Sequence, residues 1–454
     1  MAITLREIDI PDFGVPEAVP AIPVTTYARR CDDAYARGGC DWLVIYADRE
    51  HHANMAFLSG FEPRFEEALL LLGPAKKRVL VVGNEGEGYV PVADLPNLEI
   101  ALAQSLSLMG QDRSSRPNLA AVLRDAGLKT GQTIGVVGWK YLEPREWEGA
   151  APGFYVPDTL TGILAKLAGS REALRDATVV LMHPATGLRA VVDADQIAAH
   201  EWGAARSAMA VWRVLSGMAV GETEFHAAAR MDYAGEVLTC HVMCTTGDRV
   251  APVVGMRSPT GRKIAKGDGI NSAIGYWGGL SCRSGLVTDR DDDFLIAAKS
   301  YFAGLLAWYE TADIGIEGGT IFESVTGALA KGKLRSALNP GHLTGHDEWV
   351  HTPIRPGSTE RIASGMPFQV DIIPTPLPAG WALNCEDGVA FADAGLRAEL
   401  KAKHPAVATR IETRRTFMRD QLGVAVRDSI LPLSAIPLCL PPFWLAPKQL
   451  LAVL

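Results

Sequence analysis

No apolar run in this sequence is long enough to cross a bilayer: "ALLLLG" and "VLVVG" fall far short of the roughly 20 residues a spanning helix requires. Concentrated positive charge is also missing. The formal net charge is −8, and the densest basic run, "PAKKRVL", suits a solvated loop before a strand better than a phosphate backbone. A nucleic-acid partner is therefore not expected. P-loop and dinucleotide fingerprints are absent, and "GNEGEG" is acidic where a phosphate would sit, so it reads as a turn. The seven cysteines, an odd number without regular spacing, exclude a disulfide framework and suit a reducing compartment. "CHVMC", Cys240 to Cys244, reads as buried thiols and not as a zinc knuckle. The opening "MAITLREIDIPDFG" places charges where a signal peptide needs an apolar core. Cytoplasm, with no membrane partner, is the expected address.

What is present suits a globular chain. Hydrophobic residues make up 48% and charged residues 21%, and 454 residues are too many for one ordinary core. From about Ile22 to Val180 helical and strand patterns alternate. "TTYARRCDDAYARGG" and "RPNLAAVLRDAGL" read as helices; "DWLVIYA", "ALLLLG", "RVLVVG" and "TIGVVGW" read as buried strands. This predicts an α/β domain over residues 1–188, with a boundary near Thr186 to Asp193. The long amphipathic stretch "DADQIAAHEWGAARSAMAVWRVLSGM" opens a second domain, over 189–430. There "RKIAKGDGINSAIGYW", "MPFQVDIIPTP" and "WALNCEDGVAFAD" read as strands, around the helix "DDDFLIAAKSYFAGLLAWYETA", which makes the domain α+β. Residues 431–454, with "LPLSAIPLCLPPFWLAP", hold too many prolines for a helix or central strand and are expected to wrap the surface as an extended arm packed on the second domain.

Three of the ten histidines crowd into "GHLTGHDEWVH", as His342, His346 and His351, beside Asp347 and Glu348. Pro340, Gly341 and Gly345 argue against a helix there, so the pair four residues apart is not the helical metal motif HExxH. Downstream, strand alternation in "GMPFQVDIIP" sets Gln369 and Asp371 on one face. In "WALNCEDGVAF" it sets Asn384 and Glu386 together, opposite Leu383 and Cys385. A carboxylate within an apolar strand is costly unless it is paired, hydrogen-bonded or bound to a metal.

The order of these pieces resembles the creatinase, aminopeptidase P and prolidase family, whose catalytic domain has the pita-bread fold. "YADREHHANMAFLSGFEPRFEEALLLLG" looks like the family's N-terminal domain, and "LRAVVDADQIAAHEWGAARSAMAVW" like the helix that opens its catalytic domain. "GKLRSALNPGHLTGH", "GMPFQVDIIP" and "ALNCEDGVAF" match its histidine and two glutamate segments. The resemblance implies metal-ligand positions at His346, Asp371 and Glu386, with His342 matching a histidine four residues earlier. His351 resembles a later substrate-side histidine, two residues closer than usual. A homodimer is implied as well.

The family's two bridging aspartates have no counterpart. No carboxylate lies between Gly269 and Val287; counting puts the pair on Ala273 and Ser284, or, shifted, on Asn271 and Cys282. The upstream proton-handling histidine falls on Met256. Two divalent ions close together need bridging anions, so no dinuclear centre is expected. No cofactor is required, and at most one weakly held Zn, Mn or Fe ion is allowed, on His346, Asp371 and Glu386.

Three readings follow. The first is a creatinase-like hydrolase of a C–N bond in a small molecule, with His346, His342, His351 and Glu386 as catalytic groups and Asp371 and Glu348 gripping substrate. Cys282, beside Arg283, is a nucleophile or pocket residue in this reading. Arg64 and Phe65 of "FEPRFEEA" occupy the region of a family loop that touches substrate. The second reading is an Xaa-Pro-type metallopeptidase with an altered site, and the third is a catalytically silent homologue that binds a peptide or small ligand.

Overall fold

The computed structural model describes residues 2–149 and 153–454, apart from the side chain of Pro144. The chain forms two compact units, Ile22–Arg189 and a larger one of Met1–Ala21 with Ala190–Leu454. Residues 1–21, expected in the first domain, thus lie with the second. The cause is a long-range pairing: β1 (Ile3–Glu7) runs antiparallel to a strand at the far end of the sequence.

The smaller unit is a six-stranded sheet of β2 (Trp42–Ala47), β3 (Ala68–Leu72), β4 (Arg78–Val82), β5 (Leu98–Leu102), β6 (Ile134–Val137) and β7 (Leu174–Asp176). Its order is β5-β4-β3-β2-β6-β7. Strands β2, β3, β4 and β6 are buried throughout, as their unbroken Val, Leu and Ile runs require. Helix Val24–Gly38 ends where Gly39 takes φ +57°, a left-handed cap that glycine adopts without strain. "GNEGEG" holds one helical turn, Asn84–Glu87, whose first amides the buried Glu66 receives through Oε2, from Glu85 N at 3.0 Å and Gly86 N at 3.1 Å.

The larger unit is built on an antiparallel sheet. Its strands are β8 (Leu238–Gly247), β9 (Gly269–Tyr276), β10 (Gly279–Leu286), β12 (His342–Leu343), β13 (Pro367–Val370), β15 (Asn384–Phe391) and β16 (Ile430–Pro432). The order is β12-β13-β15-β10-β9-β8, with β16 on β15. The short β11 (Arg335–Ser336) and β14 (Pro374–Thr375) pair separately, and β17 (Gln449–Val453) is the partner of β1. Helix Ala194–Gly217 starts at Asp193, whose carboxylate accepts the Gln196 amide at 3.0 Å, and it packs on β9 and β10. It is buried almost throughout, consistent with its alanine- and valine-rich surface.

The proline-rich tail does not wrap the surface. Residues 430–444 are buried, because their carbonyls serve the sheet: Pro442 O accepts Leu286 N at 3.0 Å, and Cys439 O accepts Arg283 Nε at 2.7 Å. Proline lacks a donor but keeps its acceptor, so such a segment can still satisfy buried N–H groups. Among the described residues no helix is long and apolar enough to cross a membrane.

Candidate functional site

Strand pairing assembles the site from distant parts of the chain. On β10, Cys282 lies opposite Ala273 of β9 and Glu386 of β15, while Ser284 lies opposite Asn271 and Asn384. Because side chains alternate across a strand, these residues share one face. Asp371 follows directly after β13, and β12 lies beyond it, with His342 opposite Gln369. The result is a cavity of about 360 Å³ whose floor includes Asn271, Cys282, Ser284, Asp371, Asn384 and Glu386.

His342, Asp371 and Glu386 each offer one ligand atom, and these atoms lie within 4.8 Å of one another. All three side chains are buried. Asp371 Oδ1 has no hydrogen-bond partner. His342 Nε2 stands 2.9 Å from Glu348 Oε1, an ion-pair contact whose alignment falls short of a hydrogen bond. The imidazole also stacks on Trp349 at 4.0 Å.

Burial controls the charges. It raises the Asp371 carboxyl to about 7, against the opposing pull of His342. Glu386 is pushed well above the carboxylate range, first by burial and then by the charges of Asp371 and Glu348. Burial would lower His342, but the neighbouring Glu348 outweighs it and the pKa is raised. Two buried acids side by side on one floor bind a proton more tightly than isolated carboxylates, and the histidine beside them is shifted in the same direction.

The structure corrects the histidine assignment. His342, not His346, joins the acids. β12 covers only His342 and Leu343, and the chain turns at Gly345, so the residue four positions on leaves the strand face. His346 packs edge-on to Trp277 at 4.6 Å instead. His351 Nδ1 accepts the Thr352 amide at 2.8 Å and lies outside the three-donor group. The useful signal was Gly341, whose φ of +112° swings the chain into β12 just ahead of His342.

Cys282 lines the cavity, but not as an activated nucleophile. Burial, then Glu386 and Asp371, drives its thiol well above the usual value. Arg283 lowers it only weakly and is outweighed, since alternation turns the guanidinium to the opposite face. There Arg283 grips Asp387 at 2.8 and 3.0 Å, with Ile436 O at 2.6 Å. Glu348 lines the cavity beside His342. Arg64 and Phe65 belong to the smaller unit, where Arg64 pairs with Glu62 at 2.8 Å and Phe65 is exposed. Trp349 was not singled out in the sequence, although it sits within a quoted segment.

One divalent ion fits the donor set. A histidine nitrogen and two carboxylates converge, one oxygen being unpartnered, which is a one-histidine, two-carboxylate arrangement. Asn271 offers no free oxygen to a second ion. Asn271 Oδ1 already accepts Ser284 Oγ at 2.6 Å and Cys282 Sγ at 3.1 Å, so both lone pairs are engaged.

This chain has the pita-bread fold of prolidases and aminopeptidases P. It is similar to the dipeptidase PepE from Mycobacterium ulcerans, at 19% identity and TM-score 0.60, covering 82% of this chain and 94% of that one. The prolidase from Pyrococcus horikoshii OT3 gives 14% identity and TM-score 0.62, over 81% and 95%. An X-Pro aminopeptidase from Thermotoga maritima MSB8 gives 15% and 0.62, again over 81% and 95%. No protein-family model matches the sequence, and no curated protein matches it. Likeness at this level establishes the fold and leaves the chemistry to the site.

Proposed function

We propose that the protein hydrolyses a C–N bond in a small molecule without a two-ion centre. The observation that carries this reading is Asn271, whose amide oxygen is filled by Ser284 and Cys282 where a bridging anion would be needed. Asp371, with a pKa near 7 and an unpartnered oxygen, takes a proton from the attacking water. His342, whose pKa the neighbouring Glu348 raises, returns one to the leaving nitrogen. Glu386 and Asn384 orient the substrate across the floor. A homodimer is part of the proposal, and light scattering should give twice the mass of one chain.

The convergence of His342, Asp371 and Glu386 favours a second reading, an Xaa-Pro-type metallopeptidase with a single-ion site. A divalent ion held there would polarise the scissile carbonyl. One experiment separates the two. Protein purified without chelator is analysed for metal, then assayed with and without chelator on Xaa-Pro dipeptides, guanidino compounds and hydrazides. The first reading expects at most one ion per chain and turnover that survives chelation; turnover abolished by chelation and restored by one ion supports the second. Two tightly held ions would defeat both. His342→Ala and Glu386→Ala should each lower turnover by about 10²-fold or more. A wild-type protein inactive on every substrate leaves the ligand-binding homologue in possession.

A further inference from the structure

The walls of the cavity differ from its floor. Val253, Met256, Leu338, Ile373, Leu377 and Trp381 line the sides. Three of these stand open to solvent, Met256 at 76%, Leu338 at 46% and Ile373 at 37% exposure. Large apolar side chains left exposed around the mouth of one cavity mark a surface that an apolar group covers. This wall is fastened in place. Asn271 Nδ2 donates to Gly255 O at 2.8 Å, Thr245 Oγ1 donates to Val254 O at 3.1 Å, and His241 Nε2 lies 2.8 Å from Met256 O. The asparagine that offers no oxygen to a second ion therefore also positions the loop carrying Val253 and Met256.

The charge of the lining is one-sided. Its ionisable carboxylates are Glu348, Asp371 and Glu386, and among the described residues no lysine or arginine lines the cavity. Arg283, next in sequence to Cys282, is committed to Asp387 on the other face of the sheet. A ligand carboxylate entering here meets three acids, with no lysine or arginine in the lining and the His342 imidazole already engaged by Glu348, whereas an ammonium or a neutral amide meets acceptors.

We propose that this cavity selects a substrate with a bulky apolar group beside an ammonium or neutral polar end, and rejects one bearing a free carboxylate. The proposal rests on the hydrolase reading only for which bond reacts; selection itself is a matter of binding. Calorimetry of the full chain with phenethylamine, phenylacetate and n-butylamine, in chelator at pH 8, tests it directly. Phenethylamine should bind at least about tenfold tighter than either of the others. Ile373→Lys places a cation at the mouth of the cavity and should shrink the phenethylamine-to-phenylacetate ratio by about tenfold. Phenylacetate binding as tightly as phenethylamine, n-butylamine matching phenethylamine, no binding by any of the three, or a ratio unmoved by Ile373→Lys would each overturn the proposal. No turnover enters these measurements. A hydrolase that passes the metal and activity tests yet binds phenylacetate best keeps its function and loses this selectivity.

Discussion

An amide oxygen has two lone pairs, and at Asn271 a hydroxyl and a thiol take one each while the amide nitrogen holds the Gly255 carbonyl. Asn271→Asp sets a carboxylate oxygen against that carbonyl and severs the loop. The substitution should cost about 1–3 kcal/mol in urea unfolding. It should not recruit a second ion, because Ser284 and Cys282 still occupy the other oxygen; elemental analysis of the variant checks this. The absence of acid between Gly269 and Val287 was readable from the sequence alone. What Asn271 does instead was not, since its donors arrive through the β9–β10 register. The exchange of His346 for His342 has the same origin. Counting along a motif cannot register that β12 ends at Leu343.

At the scale of elements, periodicity and end signals were informative. Helix Ala194–Gly217 follows from apolar spacing, and β9, β13 and β15 coincide with the strand-like runs. Partners brought together by tertiary packing were not legible. Asp195, in the first turn of that helix, meets His404 at 2.9 Å and Lys403 at 3.3 Å. Burial raises its pKa, but the His404 hydrogen bond and the Lys403 charge more than offset this, and the net shift is downward. A lowered folded-state pKa contributes stability above the unfolded value of about 3.9, and that contribution is lost as pH falls through the folded value. Asp195→Asn should therefore cost about 1–2 kcal/mol at pH 7, and its penalty should shrink as pH falls below the unfolded value. Chemical denaturation across that range provides the measurement.

For the whole molecule, the two-part organisation was visible as a change of texture near Thr186 to Asp193, and the chain divides between Arg189 and Ala190. The return of residues 1–21 to the larger unit was not visible, because no local pattern records that β1 pairs with β17. Deleting residues 2–8 removes that pairing. Hydrogen exchange followed by mass spectrometry should then show faster exchange in residues 449–453, with the sheet β2 to β7 unchanged. Equal acceleration in both units would contradict the division. The tail was misplaced at this same scale. Its prolines leave only the short β16 and β17 as regular structure, yet its carbonyls are what the buried Arg283 needs. Arg283 and Asp387 form a fully desolvated pair on one side of β10, and Cys282 and Ser284 look into the cavity from the other. A slip of one residue in this strand would exchange the two sides and strand a guanidinium among apolar walls. The pair thus pins the alignment of the sheet without touching the reaction space. Side chains facing the cavity can therefore change without loosening the strand that carries them, because what holds that strand in line lies on its other side.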